Sequence, residues 1–443
     1  MQYIIRPDVA FRNHTLEVPL DYNHSHGPKI KIFAREYVAK NKLADELPYL
    51  IFFHGGPGGK GVRQAEITGW LKEALKTFRV IALDQRGTGI STPLTAQTIT
   101  KYGKPHEQAA FLTFFRADSI VHDAEELRKY LGIKKWSIMG QSYGGFVTFT
   151  YLSLFPKSLE RAIVTGGVPP ISYDARTVYN HTLLKLARAN KKYFELYPED
   201  QKTLNKIRDH INYTEELLPT GDRLTPERLQ LLGIVLGRTN GIHELHFILE
   251  EAFVDTKEGK RLSASFLTEI MPYLSYATKP LYVLLHETIY AQGRSMLTNA
   301  KQVVWGLKRY GFQVDLAEED KDLSADFTSN ADNLQLVGEI FEPWLFRQDD
   351  SLKPLKETFH ELEKLTKDYD WLPLYNPKQL AENPVPVACI VYEDDVFVDK
   401  DLSLETLSKT KNAKAKITAD FQHDGIHCDG ERLFAELLDM TNQ

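Results

Sequence analysis

The most restrictive local feature of the chain is a glycine-flanked serine, Ser142, within the stretch Gly-Gln-Ser-Tyr-Gly-Gly at residues 140–145. The apolar residues 136–139 before it predict a short strand, and residues 146–155 after it predict a helix. A tight turn from strand into helix strains the backbone of its central residue, and side chains at the flanking positions would collide with strand and helix. This context predicts a nucleophile elbow that exposes the Ser142 hydroxyl at a sheet edge. A glycine-rich turn with an incidental serine is the competing interpretation.

The first third of the chain alternates between strand and helix patterns. Strands are predicted at residues 30–37, 49–53, 79–83, 136–139 and 161–165. Between two of them, residues 118–131 repeat apolar side chains at helical spacing, with Asp118 as a candidate cap and Gly132 as a candidate end. This alternation predicts an α/β fold, with a mostly parallel sheet and helices on both faces.

The pattern changes after a proline pair at positions 169 and 170. Residues 171–370 are mostly helical in pattern and contain few β-branched runs. Strand patterns return at residues 385–392 and 415–419. We therefore expect three segments: the first part of an α/β core at residues 1–170, an inserted helical lid at 171–370, and the second part of the core at 371–443.

A second glycine-rich stretch, His-Gly-Gly-Pro-Gly-Gly at residues 54–59, follows the predicted strand 49–53. Such a loop brings backbone N–H groups close to a substrate carbonyl, where they can stabilise the oxyanion of a tetrahedral intermediate. We assign this role to the N–H groups of Gly56 and Tyr143. A phosphate-binding loop is the alternative, but no Lys-Ser or Lys-Thr pair follows these glycines.

A serine nucleophile needs a base, and the base needs an orienting carboxylate. In serine hydrolases of the α/β-hydrolase class these follow in the order Ser, Asp, His, at the carboxyl ends of strands. Asp395 is preferred to Asp394 because the apolar residues 396–398 resemble the run that trails the acid in that class. His423 is preferred to His427 because it lies nearer the end of its strand. A surface acidic cluster is the alternative interpretation of Asp395.

Three stretches, at residues 54–59, 84–91 and 140–145, together resemble the proline iminopeptidase (prolyl aminopeptidase) family of α/β-hydrolase serine peptidases. Epoxide and haloalkane hydrolases share the first two patterns loosely, but they carry Asp at the elbow. His-Asp-Gly at 423–425 resembles the larger members of the family. For Asp84 and Arg86 we predict a structural role, as an Arg–carboxylate pair that fixes the loop beside the elbow.

The resemblance implies a peptidase that removes an N-terminal residue, typically proline, from a short peptide through an acyl-enzyme. Such an enzyme must bind a free amine, which a buried carboxylate can do. Similarity to family segments points to Glu244 in residues 241–247 and to Glu287 in residues 284–290. Glutamates that simply face solvent are the alternative for both. An esterase or amidase with another acyl pocket, and a non-catalytic binding protein, are the rival functions.

The composition of the chain limits the classes of partner that it is expected to bind. The chain has 443 residues, 42% of them hydrophobic, and a formal net charge of -6 with no basic stripe, which argues against nucleic acid as a partner. No apolar stretch could span a membrane and the first residues lack a secretion signal, so we expect a cytoplasmic protein without membrane contact. Two cysteines, Cys389 and Cys428, predict neither a disulfide framework nor a metal site. The expected chemistry requires no cofactor.

Overall fold

The computed structural model describes residues 2–294, 332–339, 341 and 343–442. In this part of the chain nine strands form one sheet and two more form a separate hairpin. In chain order the strands are β1 (Ile4–Ile5), β2 (Val9–Pro19), β3 (Lys29–Ala39), β4 (Tyr49–Phe53), β5 (Arg79–Asp84), β6 (Trp136–Gln141), β7 (Leu159–Thr165), β8 (Phe253–Thr256), β9 (Gly259–Leu262), β10 (Val387–Tyr392) and β11 (Ala413–Thr418).

Helices occupy much of the remaining described chain. They are α1 (Gly69–Ala74), α2 (Ala96–Ile99), α3 (Pro105–Leu112), α4 (Ala117–Tyr130), α5 (Tyr143–Leu154), α6 (Ala175–Leu196), α7 (Pro198–Tyr213), α8 (Pro226–Gln230), α9 (Gly241–Glu250), α10 (Ala264–Leu274), α11 (Pro280–Leu284), α12 (Leu345–Gln348), α13 (Lys356–Leu365), α14 (Pro377–Ala381), α15 (Lys400–Ser408), α16 (Gly425–Cys428) and α17 (Gly430–Asn442). None of these helices is long and apolar enough to cross a membrane.

The large sheet has the order β1-β2-β3-β5-β4-β6-β7-β10-β11. From β5 to β11 every neighbouring pair is parallel, whereas β1, β2, β3 and β5 pair antiparallel at the other edge. The prediction of a mostly parallel sheet is therefore confirmed. Because parallel strands end at the same edge, the carboxyl ends of β4, β6, β7 and β10 deliver their following loops to one region.

The central strands are buried on both faces. In β4, Leu50 and Phe52 pack into one apolar cluster, and the alternate residues Ile51 and Phe53 pack into the other. Helices α4 and α5 contribute to the second of these clusters, while α1 and α17 contribute to the first. Helices on both faces explain why these strands are nearly continuous apolar runs in the sequence.

The antiparallel edge adds two strands, β1 and β2, that the sequence pattern did not predict. On this edge the buried carboxylate of Glu36 accepts a hydrogen bond from Arg12 Nε at 2.7 Å, and it lies 2.8 Å from His14 Nε2. Burial acts to raise the pKa of Glu36, but these partners and Tyr3 outweigh it and hold the pKa at about 2. Polar side chains at buried positions interrupt the apolar alternation by which a strand is recognised.

Between β7 and β10 the described chain forms helices α6 to α14 and the β8–β9 hairpin. The longest of these helices, α6, begins after Asp174, whose carboxylate accepts a hydrogen bond from the N–H of Thr177 at 2.9 Å. The lid boundaries at residues 171 and 370 stay a prediction. Residues 295–331, 340 and 342 of the predicted lid lie outside the described residues.

Arg86 anchors the loop after β5 to helix α4. Its guanidinium donates to both carboxylate oxygens of Asp123 at 2.8 and 2.6 Å, and also to the carbonyl oxygens of Leu20 and Phe114. Both partners of the ion pair are almost fully buried. Asp84 does not pair with Arg86. It accepts instead from Arg63 and from the backbone N–H of Ile90.

We expect the substitution Asp123→Ala to lower the free energy of unfolding by about 3–5 kcal/mol, because it leaves the Arg86 charge buried without its carboxylate. Urea denaturation followed by tryptophan fluorescence measures the change. The matched control is Glu126→Ala on the same helix, which removes the exposed pair with Lys129 and should cost no more than about 0.5 kcal/mol. Equal effects of the two substitutions would contradict the assignment.

Candidate active site

Ser142 occupies the turn between β6 and α5 in a strained backbone conformation, with φ 54° and ψ -126°. The flanking glycines are required by close contacts. A Cβ added at Gly140 would lie 2.1 Å from the carbonyl oxygen of Gly144, and one added at Gly144 would lie 2.0 Å from that of Phe53. No side chain fits at either position, so the turn has the geometry expected of a nucleophile elbow.

The glycine loop after β4 packs directly against the elbow. A Cβ added at Gly55 would lie 2.9 Å from Cβ of Ser142, so only glycine allows this approach. Gln85 Nε2 donates to the carbonyl oxygen of His54 at 2.8 Å and fixes the start of the loop. The N–H groups of Gly56 and Tyr143 make no hydrogen bond within the described residues. Both therefore remain available to an oxyanion formed at Ser142.

His423 and Asp395 form a hydrogen-bonded pair at the carboxyl end of the sheet. Nδ1 of His423 lies 2.7 Å from Oδ2 of Asp395. The other carboxylate oxygen, Oδ1, accepts from the backbone N–H groups of Phe397 and Val398 at 2.8 and 3.1 Å. Asp395 is 1% exposed, whereas the neighbouring Asp394 is exposed to solvent. Of the two carboxylates, only Asp395 is thus placed to orient the imidazole.

The pair has the electrostatics that a general base requires. Burial acts to lower the pKa of His423, but the charge of Asp395 and its hydrogen bond outweigh burial and raise the pKa above its ordinary value. The ring of Phe397 stands edge-on to the imidazole, with centroids 5.1 Å apart. His423 is therefore held in one orientation, with a greater affinity for a proton than a histidine in water.

The end of β7 connects the nucleophile and the base. Ser142 N–H donates to the carbonyl oxygen of Thr165 at 3.0 Å, and a Cβ added at the next residue, Gly166, would lie 3.2 Å from Nδ1 of His423. The structure thus brings Ser142 and His423 to the same short segment. No hydrogen bond joins their side chains in the described residues, and such bonds often tighten only when substrate binds.

A narrow pocket opens beside the Asp395 loop, between that loop and helix α6. Its wall combines apolar side chains with a hydroxyl, a carboxylate, an imidazole and two phenols. Its lining residues are Val178, Tyr179, Thr182, Leu183, Leu186, His286, Tyr290, Gly338, Glu339, Val396 and Phe397. The space is narrow, with room for about one water molecule, so a larger group can enter only if the surrounding side chains move.

Glu339 is the carboxylate of this pocket, and sequence reasoning did not identify it. It accepts a hydrogen bond from the hydroxyl of Tyr282, and its Oε2 lies 4.0 Å from Nε2 of His286. Burial raises the pKa of Glu339 to about 7. The charge of Asp395 acts in the same direction, and that of His423 acts in the opposite one. Glu339 therefore lies close enough to the His423–Asp395 pair for both charges to affect its pKa.

Glu287 lies near the same pocket. Its carboxylate accepts a hydrogen bond from the hydroxyl of Tyr179, a pocket residue, at 3.3 Å. The pKa of Tyr290, another pocket residue, is raised first by burial and then by the charges of Asp395 and Glu287. Glu287 is thus close to the pocket, and its charge acts on the same tyrosine as that of Asp395. The family resemblance selected this residue, and its role stays a prediction.

Comparison with known proteins gives a consistent result. Residues 48–223 match the family model described as the alpha/beta hydrolase fold. A proline iminopeptidase of Aeromonas sobria is 41% identical over 427 residues, 96% of this chain and 95% of that protein. A proline iminopeptidase of Aspergillus aculeatus is 33% identical, over 95% of this chain and 91% of that protein. The chain belongs to the proline iminopeptidase family.

In this member of the proline iminopeptidase family, Glu244 lies in a different environment from the other two glutamates. Its carboxylate accepts hydrogen bonds from Arg238 at 2.7 Å and from the hydroxyl of Tyr273 at 2.5 Å. It is partly exposed and is not among the residues that line the pocket. A role for Glu244 in amine binding stays a prediction, but its charge is already balanced by Arg238.

Proposed function

We propose that this chain is a serine aminopeptidase that releases an N-terminal residue, preferentially proline, from short peptides. Its membership of the proline iminopeptidase family supports this function. The observation that carries the proposal is the position of Glu339, a carboxylate in a narrow, partly apolar pocket next to the His423–Asp395 pair. A pyrrolidine ring requires apolar walls, and its secondary ammonium requires a negative charge close to the scissile carbonyl.

The proposed reaction begins when His423, oriented by Asp395, removes the proton of the Ser142 hydroxyl. The serine oxygen attacks the carbonyl carbon of the first residue, and the N–H groups of Gly56 and Tyr143 stabilise the resulting oxyanion. His423 then gives its proton to the departing amine. Water enters, loses a proton to His423 and attacks the acyl-enzyme, which releases the amino acid and restores Ser142.

The two pocket-side glutamates would hold the substrate amine. An ammonium that reaches Glu339 stabilises its carboxylate, so binding of the substrate lowers the raised pKa of that group. Since the amine is held beside the candidate triad, only the carbonyl of the first residue can reach Ser142. This restriction would make the enzyme an exopeptidase. Glu287, close to Tyr179 and Tyr290, would provide the second negative charge.

We expect Glu339→Gln to lower kcat/KM for prolyl-p-nitroanilide by about 30- to 1000-fold, because a buried ammonium then loses its charged partner. For the wild-type enzyme we expect the KM of this substrate to rise as the pH falls below about 7, where Glu339 takes up a proton. Steady-state kinetics between pH 5.5 and 8.5 measure both effects. In the variant, the KM should lose this dependence on pH.

Three comparisons make the test specific. Hydrolysis of p-nitrophenyl acetate, which carries no amine, should change little in Glu339→Gln. N-acetyl-prolyl-p-nitroanilide should be a poor substrate of the wild-type enzyme, and efficient cleavage of it would favour the esterase or amidase alternative. The same assay on Glu244→Gln distinguishes the two candidate amine-binding residues. A loss of kcat/KM as large as that of Glu339→Gln would assign the amine site to Glu244 instead.

A further inference from the structure

A second and larger opening, the cationic groove, lies along the glycine loop. It runs between that loop, the loop after β5 and the chain before α11. Its lining residues are His54, Gly58, Gly59, Lys60, Gly61, Val62, Arg63, Gln64, Gly87, Thr88, Gly89, Pro93, Leu94, Thr95, Ala277, Thr278, Lys279 and Leu281. It shares no lining residue with the pocket that contains Glu339.

The charge of the groove is opposite to that of the whole chain. The protein has a net charge of -6, yet the groove is lined by three cationic side chains and by no Asp or Glu. One of the three, Arg63, is bound to Asp84 at 2.6 Å. Lys60 and Lys279 make no ion pair within the described residues, and both are exposed to solvent in the groove. Two ammonium groups that make no ion pair, in a groove whose described lining residues include no carboxylate, favour an anionic ligand.

Lys279 connects the groove with the candidate active site. Its charge acts on His54 at the start of the glycine loop and on Glu339 in the pocket, so its ammonium lies within electrostatic range of both groups. Nζ lies 5.1 Å from the ring centroid of Tyr282, an arrangement that favours a cation at this position. The glycine loop contacts the same segment, because a Cβ added at Gly58 would be 3.4 Å from the Cβ of Leu281.

We propose that the cationic groove binds the part of the peptide that follows the scissile bond, with Lys279 receiving its C-terminal carboxylate. This inference rests on the proposed aminopeptidase function. When the first residue fills the pocket and its carbonyl reaches the glycine loop, the chain beyond that carbonyl must leave along a path next to the loop. The groove begins at His54, Gly58 and Gly59 of that loop. Short peptides end in a carboxylate, which matches the charge of the groove.

The preference for a free carboxylate is measured with two substrates that differ only in that group, Pro-Gly-Gly and Pro-Gly-Gly-amide. We expect the wild-type enzyme to cleave the free acid with a kcat/KM about three- to tenfold higher, as for a partly exposed ion pair. Lys279→Met should abolish this preference and Lys279→Arg should keep it. The matched control is Lys257→Met in the β8–β9 turn, an exposed lysine outside the groove, which should also keep it.

Each outcome decides the proposal. Loss of the preference in Lys279→Met alone supports it, and so does a decline of the wild-type preference in 0.5 M NaCl, a measurement that does not depend on folding of the variant. Equal cleavage of acid and amide by the wild-type enzyme, or an unchanged preference in Lys279→Met, overturns it. Prolyl-p-nitroanilide has no carboxylate, so failure of the wild-type enzyme to cleave this compound overturns the aminopeptidase function itself.

Discussion

The substitution Ser142→Ala will reduce hydrolysis of prolyl-p-nitroanilide by at least about 10⁴-fold, because no other group in the elbow can form the acyl-enzyme. The substitution removes only the hydroxyl group and keeps the Cβ of residue 142 in the strained turn. The residual rate should come from the oxyanion donors and from substrate binding alone. Steady-state kinetics with prolyl-p-nitroanilide at high enzyme concentration measure the loss.

Two further measurements separate lost chemistry from lost structure. The thermal denaturation midpoint of Ser142→Ala should match that of the wild-type enzyme, since the flanking glycines and their contacts remain. A fluorophosphonate probe should label the wild-type protein at Ser142 and leave the variant unlabelled. Retention of more than a few per cent of the activity in a folded, unlabelled variant would show that another group is the nucleophile.

The local motifs of this protein could be predicted because their chemistry depends on neighbours in the sequence. Ser142 requires glycines at fixed positions, and the strained turn confirms that backbone requirement. The sheet followed from apolar runs, since strands covered by helices on both faces admit few polar side chains. Strand β2 was missed because it carries part of the polar network around Glu36, where Arg12 and His14 replace apolar side chains.

The pocket could be predicted only in part, because it is assembled from distant segments. Glu339 reaches the site through tertiary packing against Tyr282 and His286, and no local pattern around residue 339 identifies it. Glu244 and Glu287 were selected by similarity to family segments rather than by any physical property of their helices. The contacts now separate them: Glu287 joins the pocket through Tyr179, whereas Glu244 pairs with Arg238.

The choice between Asp394 and Asp395 shows where sequence and structure provide different information. From the sequence, the choice depended on the apolar run that follows, residues 396–398. The structure gives a physical reason for the same residue, because the N–H groups of Phe397 and Val398 bind one oxygen of Asp395 and leave the other for His423. Residues 396–398 bury the Asp395 carboxylate and supply two of its hydrogen-bond donors. The same three residues therefore identify Asp395 in the sequence and hold it in the structure.

The substitution Asp395→Asn should therefore lower kcat by about 10³- to 10⁴-fold without disturbing the loop. The amide oxygen of asparagine can still accept from Phe397 and Val398, but its amide nitrogen now donates to Nδ1 of His423. A proton must then remain on Nε2, so the imidazole cannot accept the proton of Ser142. Asp394→Asn, one residue away and exposed, should change kcat less than about twofold.

The pH dependence gives an independent test of the same pair. Since the charge of Asp395 and its hydrogen bond raise the pKa of His423 against the opposing effect of burial, Asp395→Asn should lower that pKa. Activity requires the neutral imidazole, so the acid limb of the kcat profile should move to lower pH in Asp395→Asn and stay in place in Asp394→Asn. A shift in Asp394→Asn, or a large loss of kcat there, would instead identify Asp394 as the partner of His423 during turnover. Because a purely structural defect lowers the rate without moving this limb, the displacement of the limb distinguishes an orienting carboxylate from one that only stabilises the fold.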